Sequence, residues 1–292
     1  MTSIPQQSFE ISEIDRPLLE YWKDLIPDDF DLAIERKRLS LEFELSGIER
    51  GQALIKVLSE LDCPLTGKTV LDVGSGNGGL CIAAALAGAA RTHGVETEPQ
   101  RILLAIKWAE CRGISASFRQ GVAEALPFEN DTFDVVFFWS VIEHVESHEK
   151  SIREIARVLK PGGVVAVNGP NRLSPRLFLS DPHYHIFGIS ILPPVIGRWW
   201  VVNVKKLSPH YGVGTFPIYS LLVGRLKRAG IRVIATPNTH YMVELLESPE
   251  RVRSRFKRQL IKALGYVSLN KLLAMTLRNT APTFLMIGRK ER

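Results

Sequence analysis

Apolar positions along this chain fall into two rhythms. Short runs at residues 70–73, 133–140, 164–168, 231–235 and 282–289 are rich in apolar side chains and bounded by glycine, proline or charge, and the short segment 92–95 lies between Arg91 and Glu96. They read as strands. Between them, residues 80–90, 99–112, 147–159 and 216–229 read as helices, the last ended by Gly230. Residues 48–61 add an amphipathic helix within a helical N-terminal extension, residues 1–65, placed to lie over a ligand pocket. Strands alternating with helices predict an α/β fold, with a parallel sheet covered on both faces.

The densest chemical signal sits where the first strand gives way to its helix. In Val70-Leu71-Asp72-Val73-Gly74-Ser75-Gly76-Asn77-Gly78-Gly79, the apolar run breaks into a glycine-rich turn. Glycine lets the backbone turn sharply and approach a ligand where a Cβ would collide. The following helix points free N–H groups into that turn. A nucleotide-like cofactor is the reading this implies. Gly74, Gly76 and Gly79 also satisfy G-x-G-x-x-G, so the run alone does not separate a nicotinamide cofactor from another adenosine-bearing one. Glu96, at the end of the second strand and about twenty residues on, can accept from both ribose hydroxyls.

Further segments follow in order. They are Gly121-Val122-Ala123-Glu124-Ala125-Leu126-Pro127-Phe128, then the run 133–140, Val141-Ile142-Glu143-His144-Val145, Leu159-Lys160-Pro161-Gly162-Gly163, and the strand 164–168. As an ordered set over residues 68–170, the chain resembles the class I S-adenosylmethionine-dependent methyltransferases, in particular their small-molecule and lipid branch. That resemblance implies a Rossmann-like, doubly wound, mostly parallel seven-stranded sheet over residues 66–292, its seventh strand antiparallel beside the sixth. It implies S-adenosyl-L-methionine as methyl donor. Asp72, Gly74, Gly76 and Gly78 then match the cofactor loop, near the methionine part of the ligand. Glu96 matches the ribose acid, Thr97 the adenine edge, and Ala123 and Glu124 the segment that reads adenine through a backbone amide. Many relatives carry aspartate where this chain has Val122, which cannot accept from the adenine amino group and leaves Glu124 as the nearby acid. Trp139 and Ser140 match the mouth where donor and acceptor meet.

Composition fits one intracellular enzyme. A chain of 292 residues can bury a sizeable core in a single α/β domain with embellishments. Cys63, Cys81 and Cys111 are too few and scattered for a disulfide framework or a zinc site, and Cys81 and Cys111 fall in apolar helical patterns that predict core positions. The polar, acidic start carries no cleavable signal, so the cytoplasm is the expected location.

Two insertions carry the acceptor choice. The first, residues 169–217, contains Asn171, Arg172, Asp181-Pro182-His183-Tyr184-His185 and Ser208-Pro209-His210-Tyr211-Gly212. Loops at the carboxyl ends of parallel strands build sites in such sheets. Its stretch 186–204 is apolar but for Arg198 and Asn203, with Pro193-Pro194 in the middle and Trp199-Trp200 near its end. Two prolines argue against a spanning helix. A lid over an apolar acceptor, plain packing, or a face in the membrane interface all fit. The second insertion, residues 237–281, holds Arg251, Arg253, Arg255, Lys257, Arg258 and Lys262 without an intervening acid, and Phe256, Leu260, Leu264 and Val267 at helical spacing. A peripheral contact with an anionic membrane at 251–262 is one reading and a solvated helix face the other. The net charge of +6 is partly concentrated there and does not by itself imply nucleic acid.

A sulfonium methyl already has a good leaving group, so the protein chiefly has to align the acceptor. For a hydroxyl acceptor a base helps. His144 leads, with His183, His185 and His210 as competitors and Tyr184 and Tyr211 as positioning groups. Glu143, His144, Glu146 and His148 cluster in sequence, but without the i, i+4 histidine pair of a zinc helix, so no metal enters the assignment. The expected function is methyl transfer to a small or lipid-linked acceptor, most simply at oxygen. A nucleic-acid methyltransferase and a non-catalytic cofactor-binding protein stand as alternatives; the chain shows no aromatic RNA-binding motif.

Overall fold

The computed structural model describes residues 44–207, 212–237, 276 and 279–292. Within them lie strands β1 (Thr69–Val73), β2 (Arg91–Glu96), β3 (Ser117–Gln120), β4 (Phe133–Trp139), β5 (Leu159–Pro170), β6 (Ile231–Ala235) and β7 (Thr283–Lys290). They form a seven-stranded sheet in the order β3-β2-β1-β4-β5-β7-β6. The pairs β1–β2, β2–β3 and β4–β5 are parallel, whereas β7 runs antiparallel to both β5 and β6. This is the mostly parallel Rossmann-like sheet, with the seventh strand reversed beside the sixth. By contact density the chain divides into two compact units at Gln120/Gly121.

In the first unit, all five residues of β1 are buried, Thr69 and Asp72 among them, as expected of a central parallel strand. Helices α1 (Gly47–Glu60), α2 (Gly79–Leu86) and α3 (Pro99–Glu110) accompany the strands. The pattern predicts α2 through residue 90, but it stops four residues earlier. Gly88, at φ +86°, donates to Ala85 O at 2.9 Å, and Ala89 donates to Ala84 O at 3.1 Å. That paired arrangement is a Schellman stop, which needs a left-handed residue just past the helix. Ile82, Leu104, Trp108 and Ala109 form a core cluster, with Ile48 and Phe118 packed against it. Cys81 is buried as its pattern implies, but Cys111 is exposed. Cys111 is the C-cap of α3, where the chain leaves the helix and its apolar stripe no longer controls the side chain.

In the second unit, α4 (His148–Val158) starts at an N-cap, Ser147, whose hydroxyl accepts from Lys150 N. Strand β5 already begins at Leu159, where the motif predicts a turn. Leu159 pairs with Phe133, and the register then shifts so that Val164 pairs with Val135. The Lys-Pro-Gly-Gly tetrapeptide is thus taken up as an irregularity in the strand. The insertion after β5 is a series of short pieces: α5 (Pro175–Leu179), a 3₁₀ turn (Ile189–Ile191), α6 (Pro194–Trp199) and a π turn (Trp200–Val204). Pro193 and Pro194 start α6 instead of breaking a longer helix, since proline suits a first turn. Helix α7 (Tyr219–Arg228) begins three residues later than predicted. Pro217 keeps Phe216 out of helical geometry, and Phe216 packs instead with Leu177 and Val213. The extension up to residue 43, His210, Tyr211 and the basic stretch 251–262 lie outside the described residues. Among the described residues no helix is long and apolar enough to cross a membrane.

Candidate functional site

The cofactor-loop residues predicted from sequence lie together in the first unit. Beyond β1, the N–H groups of Gly74 and Ser75 both donate to Val95 O, at 2.7 and 2.9 Å, which fastens the turn to β2. Gly76 and Gly78 have φ of +52° and +82°, in the region that favours glycine. Their surroundings differ. A Cβ on Gly78 would lie 2.8 Å from Phe118 Cζ and 3.0 Å from Ala105 Cβ, so this position is closed by packing. A Cβ on Gly76 would meet only Arg101 Nη1, at 3.1 Å, so its backbone stands open to a ligand.

Glu96 closes the loop from the other side. Its Oε2 accepts from Gly76 N at 2.9 Å, and its Oε1 accepts from Thr97 N, Thr97 Oγ1 and Glu98 N at 2.7, 2.9 and 3.2 Å. The sequence spacing that suggested a ribose acid therefore corresponds to a direct bond between acid and glycine turn. The Thr97 hydroxyl, expected at an adenine edge, donates to Glu96. Asp72 is buried beneath the loop, and that burial, with Glu96 as the lesser cause, pushes its carboxyl up to about 7.

Sequence reasoning missed Glu44. Its carboxylate accepts from Asn77 Nδ2 at 2.7 Å and from Arg101 Nη2 at 3.3 Å, tying the approach to α1 to the loop. A Cβ on Gly79 would lie 2.8 Å from the carbonyl carbon of Gly47, so α1 rests directly against the helix that opens from the loop. A lone glutamate in a charged stretch carries no local signal of that role.

In the second unit, Ala123 is buried and Val122 is exposed, the two lying in a tight turn bridged from Val122 to Ala125. The Glu124 Oε1 accepts from Glu146 N at 2.8 Å and Ser147 N at 3.1 Å. One carboxylate oxygen is thus engaged at the start of α4, where the helix dipole favours it. Trp139 ends β4, and Ser140 follows at φ +55°. A non-glycine residue holds that conformation only when its surroundings secure it. Ser140 N donates to Asn168 O at 3.1 Å and its hydroxyl to Asn168 Oδ1 at 3.2 Å, while Asn168 Nδ2 donates to Phe284 O.

The turn after β4 presents Glu143 and His144, and the following insertion brings His183 to them. Ligand atoms of these three side chains all lie within 4.8 Å of one another. His144 Nδ1 is 2.6 Å from Gly212 O, and its Nε2 is 3.9 Å from Glu143 Oε1. The His144 and His183 rings meet edge to face at 5.0 Å. Burial raises the Glu143 carboxyl and lowers the His183 imidazole to about 4, with His144 the next cause for each, lowering both. His183 is placed by Asp181, a buried carboxylate that accepts from His183 N, Tyr184 N and Ile186 N at 2.8–2.9 Å. His185 is exposed and its Nδ1 lies 3.3 Å from Ser180 Oγ, so it stands outside the trio. The sequence grouping of Glu143 and His144 with Glu146 and His148 is replaced by one with His183. Glu146 is exposed, and His148 is buried in the first turn of α4.

The sheet order and the seventh strand, antiparallel to both its neighbours, are those of the Rossmann-like methyltransferase fold. Residues 65–191 match a family model described as a methyltransferase domain. Over 102 residues the chain is 36% identical to norajmaline N-methyltransferase from Rauvolfia serpentina, covering 34% of this chain and 35% of that protein. Over 148 residues it is 36% identical to the ubiquinone biosynthesis O-methyltransferase of Maricaulis maris, covering 50% and 52%. The chain therefore spans about half or less of the length of these relatives. The solved structure of an S-adenosylmethionine-dependent methyltransferase from Mesorhizobium loti superposes with a TM-score of 0.52 at 15% identity, covering 80% of this chain and 96% of that one, a likeness of fold. Residues 65–191 are thus a methyltransferase domain.

Proposed function

We propose that this protein transfers the methyl group of S-adenosylmethionine to a hydroxyl of an apolar acceptor, either lipid-linked or small, at the surface of a membrane facing the cytoplasm. The surface of the acceptor insertion carries this reading. Phe187, Val195, Ile196, Trp199 and Val204 are exposed there, alongside the exposed cations Arg176, Arg198, Lys205 and Lys206. The only acid between residues 172 and 207 is Asp181, which is 1% exposed and fully engaged with backbone N–H groups. Exposed apolar side chains in the same segment as exposed cations, with no exposed acid, suit an anionic lipid interface. The six cations between Arg251 and Lys262 add charge of the same sign. Transfer to oxygen accords with the names of relatives such as the Maricaulis maris enzyme.

The first unit supplies the donor side. Gly76 offers open backbone, Glu96 offers carboxylate oxygens for ribose hydroxyls, and Asp72 shapes the turn from below. The second unit supplies groups able to activate a hydroxyl, Glu143, His144 and His183. Alignment of a nucleophile behind a sulfonium methyl can contribute up to about 7–11 kcal/mol in well-oriented systems.

The test is transfer from methyl-labelled S-adenosylmethionine into a host extract, split into lipid, polysaccharide, nucleic-acid, protein and small-molecule fractions, with Gly76→Arg as control. Label in the lipid or apolar small-molecule fraction, lost in the variant, is the expected result. Gly76-dependent label confined to nucleic acid or protein overturns the acceptor assignment. Cofactor binding without labelling of any fraction overturns the enzyme assignment.

A further inference from the structure

We propose that Glu143, His144 and His183 bind a divalent transition-metal ion, and that this ion receives the acceptor hydroxyl; the second half rests on the function proposed above. The donors converge from two separate stretches of chain. Their ligand atoms lie within 4.8 Å of one another, against roughly 3.3 Å for neighbouring ligands in a tetrahedral zinc site with 2.0–2.1 Å bonds. Small side-chain rotations close that gap.

Three features point to a cation at the centre. Glu143 is 4% exposed, yet its Oε2 is buried without a hydrogen-bond partner. A buried carboxylate oxygen of that kind is costly unless something positive meets it. His183 Nδ1 is likewise buried and unpartnered. His144 Nδ1 faces Gly212 O at 2.6 Å, and a carbonyl can only accept, so the proton sits on Nδ1. His144 Nε2 lies 3.9 Å from Glu143 Oε1, so a cation between them would meet a donor atom of each side chain.

The surroundings match those of a ligating histidine, whose second nitrogen habitually donates to a carbonyl or carboxylate. Gly212 also donates to Tyr184 Oη at 3.2 Å, and Gly214 N donates to Glu143 O at 2.7 Å, so one short segment braces both residues of the turn. Two imidazoles and one carboxylate favour zinc or its transition-metal neighbours over magnesium or calcium, which prefer oxygen. Three protein ligands leave a position open for substrate, and His144 is 40% exposed on its side chain, giving a way in.

Coordination lowers the pKa of a bound hydroxyl. Its proton passes to solvent buffer, and the oxygen's electron pair forms a C–O bond with the sulfonium methyl. The S–C bond breaks with its electrons on sulfur, leaving a neutral thioether and a neutral ether.

Titration of chelator-stripped protein with Co²⁺, read by its visible d–d absorption, tests the site. One equivalent should bind and be displaced by Zn²⁺. Glu143→Gln, His144→Ala and His183→Ala should each weaken binding at least tenfold while retaining S-adenosylmethionine affinity, which reports a folded first unit. Circular dichroism of each variant checks the rest of the chain. His185→Ala should keep the wild-type Co²⁺ affinity. Stoichiometric binding left unchanged in all three variants, or no binding by folded wild type, overturns the site. Methyl transfer that persists after chelation overturns the activating role and leaves the proposed function standing. Specific Co²⁺ binding without transfer to any acceptor supports the site and removes that function.

Discussion

Burial lifts the Asp72 carboxyl from an ordinary 3.8 to about 7, and Glu96 adds to the effect. The folded protein therefore holds a proton that the unfolded chain releases near pH 4. Between those values the native state binds more protons, so this residue costs stability as pH rises, levelling off above pH 7. The full difference is roughly 4 kcal/mol as an upper estimate. Asp72→Asn should flatten the decline between pH 4 and pH 7 and raise the melting temperature of the cofactor-free protein at pH 8; an unchanged thermal profile counts against a protonated buried carboxyl. Gly76 and Gly78 separate binding from folding. Gly76→Arg should remove cofactor binding by calorimetry and keep the far-ultraviolet spectrum, because the one close neighbour of a Cβ there is the far end of the flexible Arg101 side chain. Gly78→Ala combines a left-handed φ with contact against Phe118, and should cost about 2–3 kcal/mol in denaturant melts. If Gly78→Ala melts like wild type, the close packing at this glycine is wrong. The identities of both glycines were legible in the sequence, but which one faces ligand and which faces Phe118 was not. Phe118 comes from forty residues downstream, and only the fold brings it there.

Elements differ in how strongly sequence marks them. Strands β1 and β4 announce themselves because they are buried on both faces and so carry apolar runs. Strand β3, Ser-Phe-Arg-Gln, is mostly exposed at the edge of the sheet and shows no such run, so periodicity misses it. The acceptor insertion is fixed by a buried polar group as well as by the apolar cluster of Leu177, Val213 and Phe216. Asp181 accepts three backbone N–H bonds and thereby sets the loop that carries His183. Asp181→Ala would leave those donors unpaired in a buried place, at about 1–3 kcal/mol for each one that finds no water. Faster proteolysis within residues 181–187 and loss of Co²⁺ binding, with cofactor affinity intact, are the expected outcomes; wild-type cleavage kinetics would mean that the loop does not depend on this carboxylate.

For the molecule as a whole, the exposed apolar side chains and cations of the insertion predict partitioning onto vesicles. Binding should be stronger to phosphatidylglycerol than to phosphatidylcholine and should weaken with salt, since cations near an anionic surface contribute about 1 kcal/mol each at low screening. Phe187→Glu combined with Trp199→Glu should cut sedimentation with vesicles at least tenfold; equal partitioning of wild type and variant excludes this face as the contact. The ordered segments from Asp72 to Asn168 determined the methyltransferase fold, the position of the glycine turn and most of the sheet from sequence alone. That information is local: glycine-permitted turns, buried runs and an acid at a strand end each declare themselves within a few residues. Only tertiary structure decided that Glu44 braces the loop, that Glu124 is engaged at the start of α4, and that His183 rather than Glu146 or His148 joins Glu143 and His144. Such groupings depend on chain segments distant in sequence meeting in space, and no spacing along the chain records that meeting.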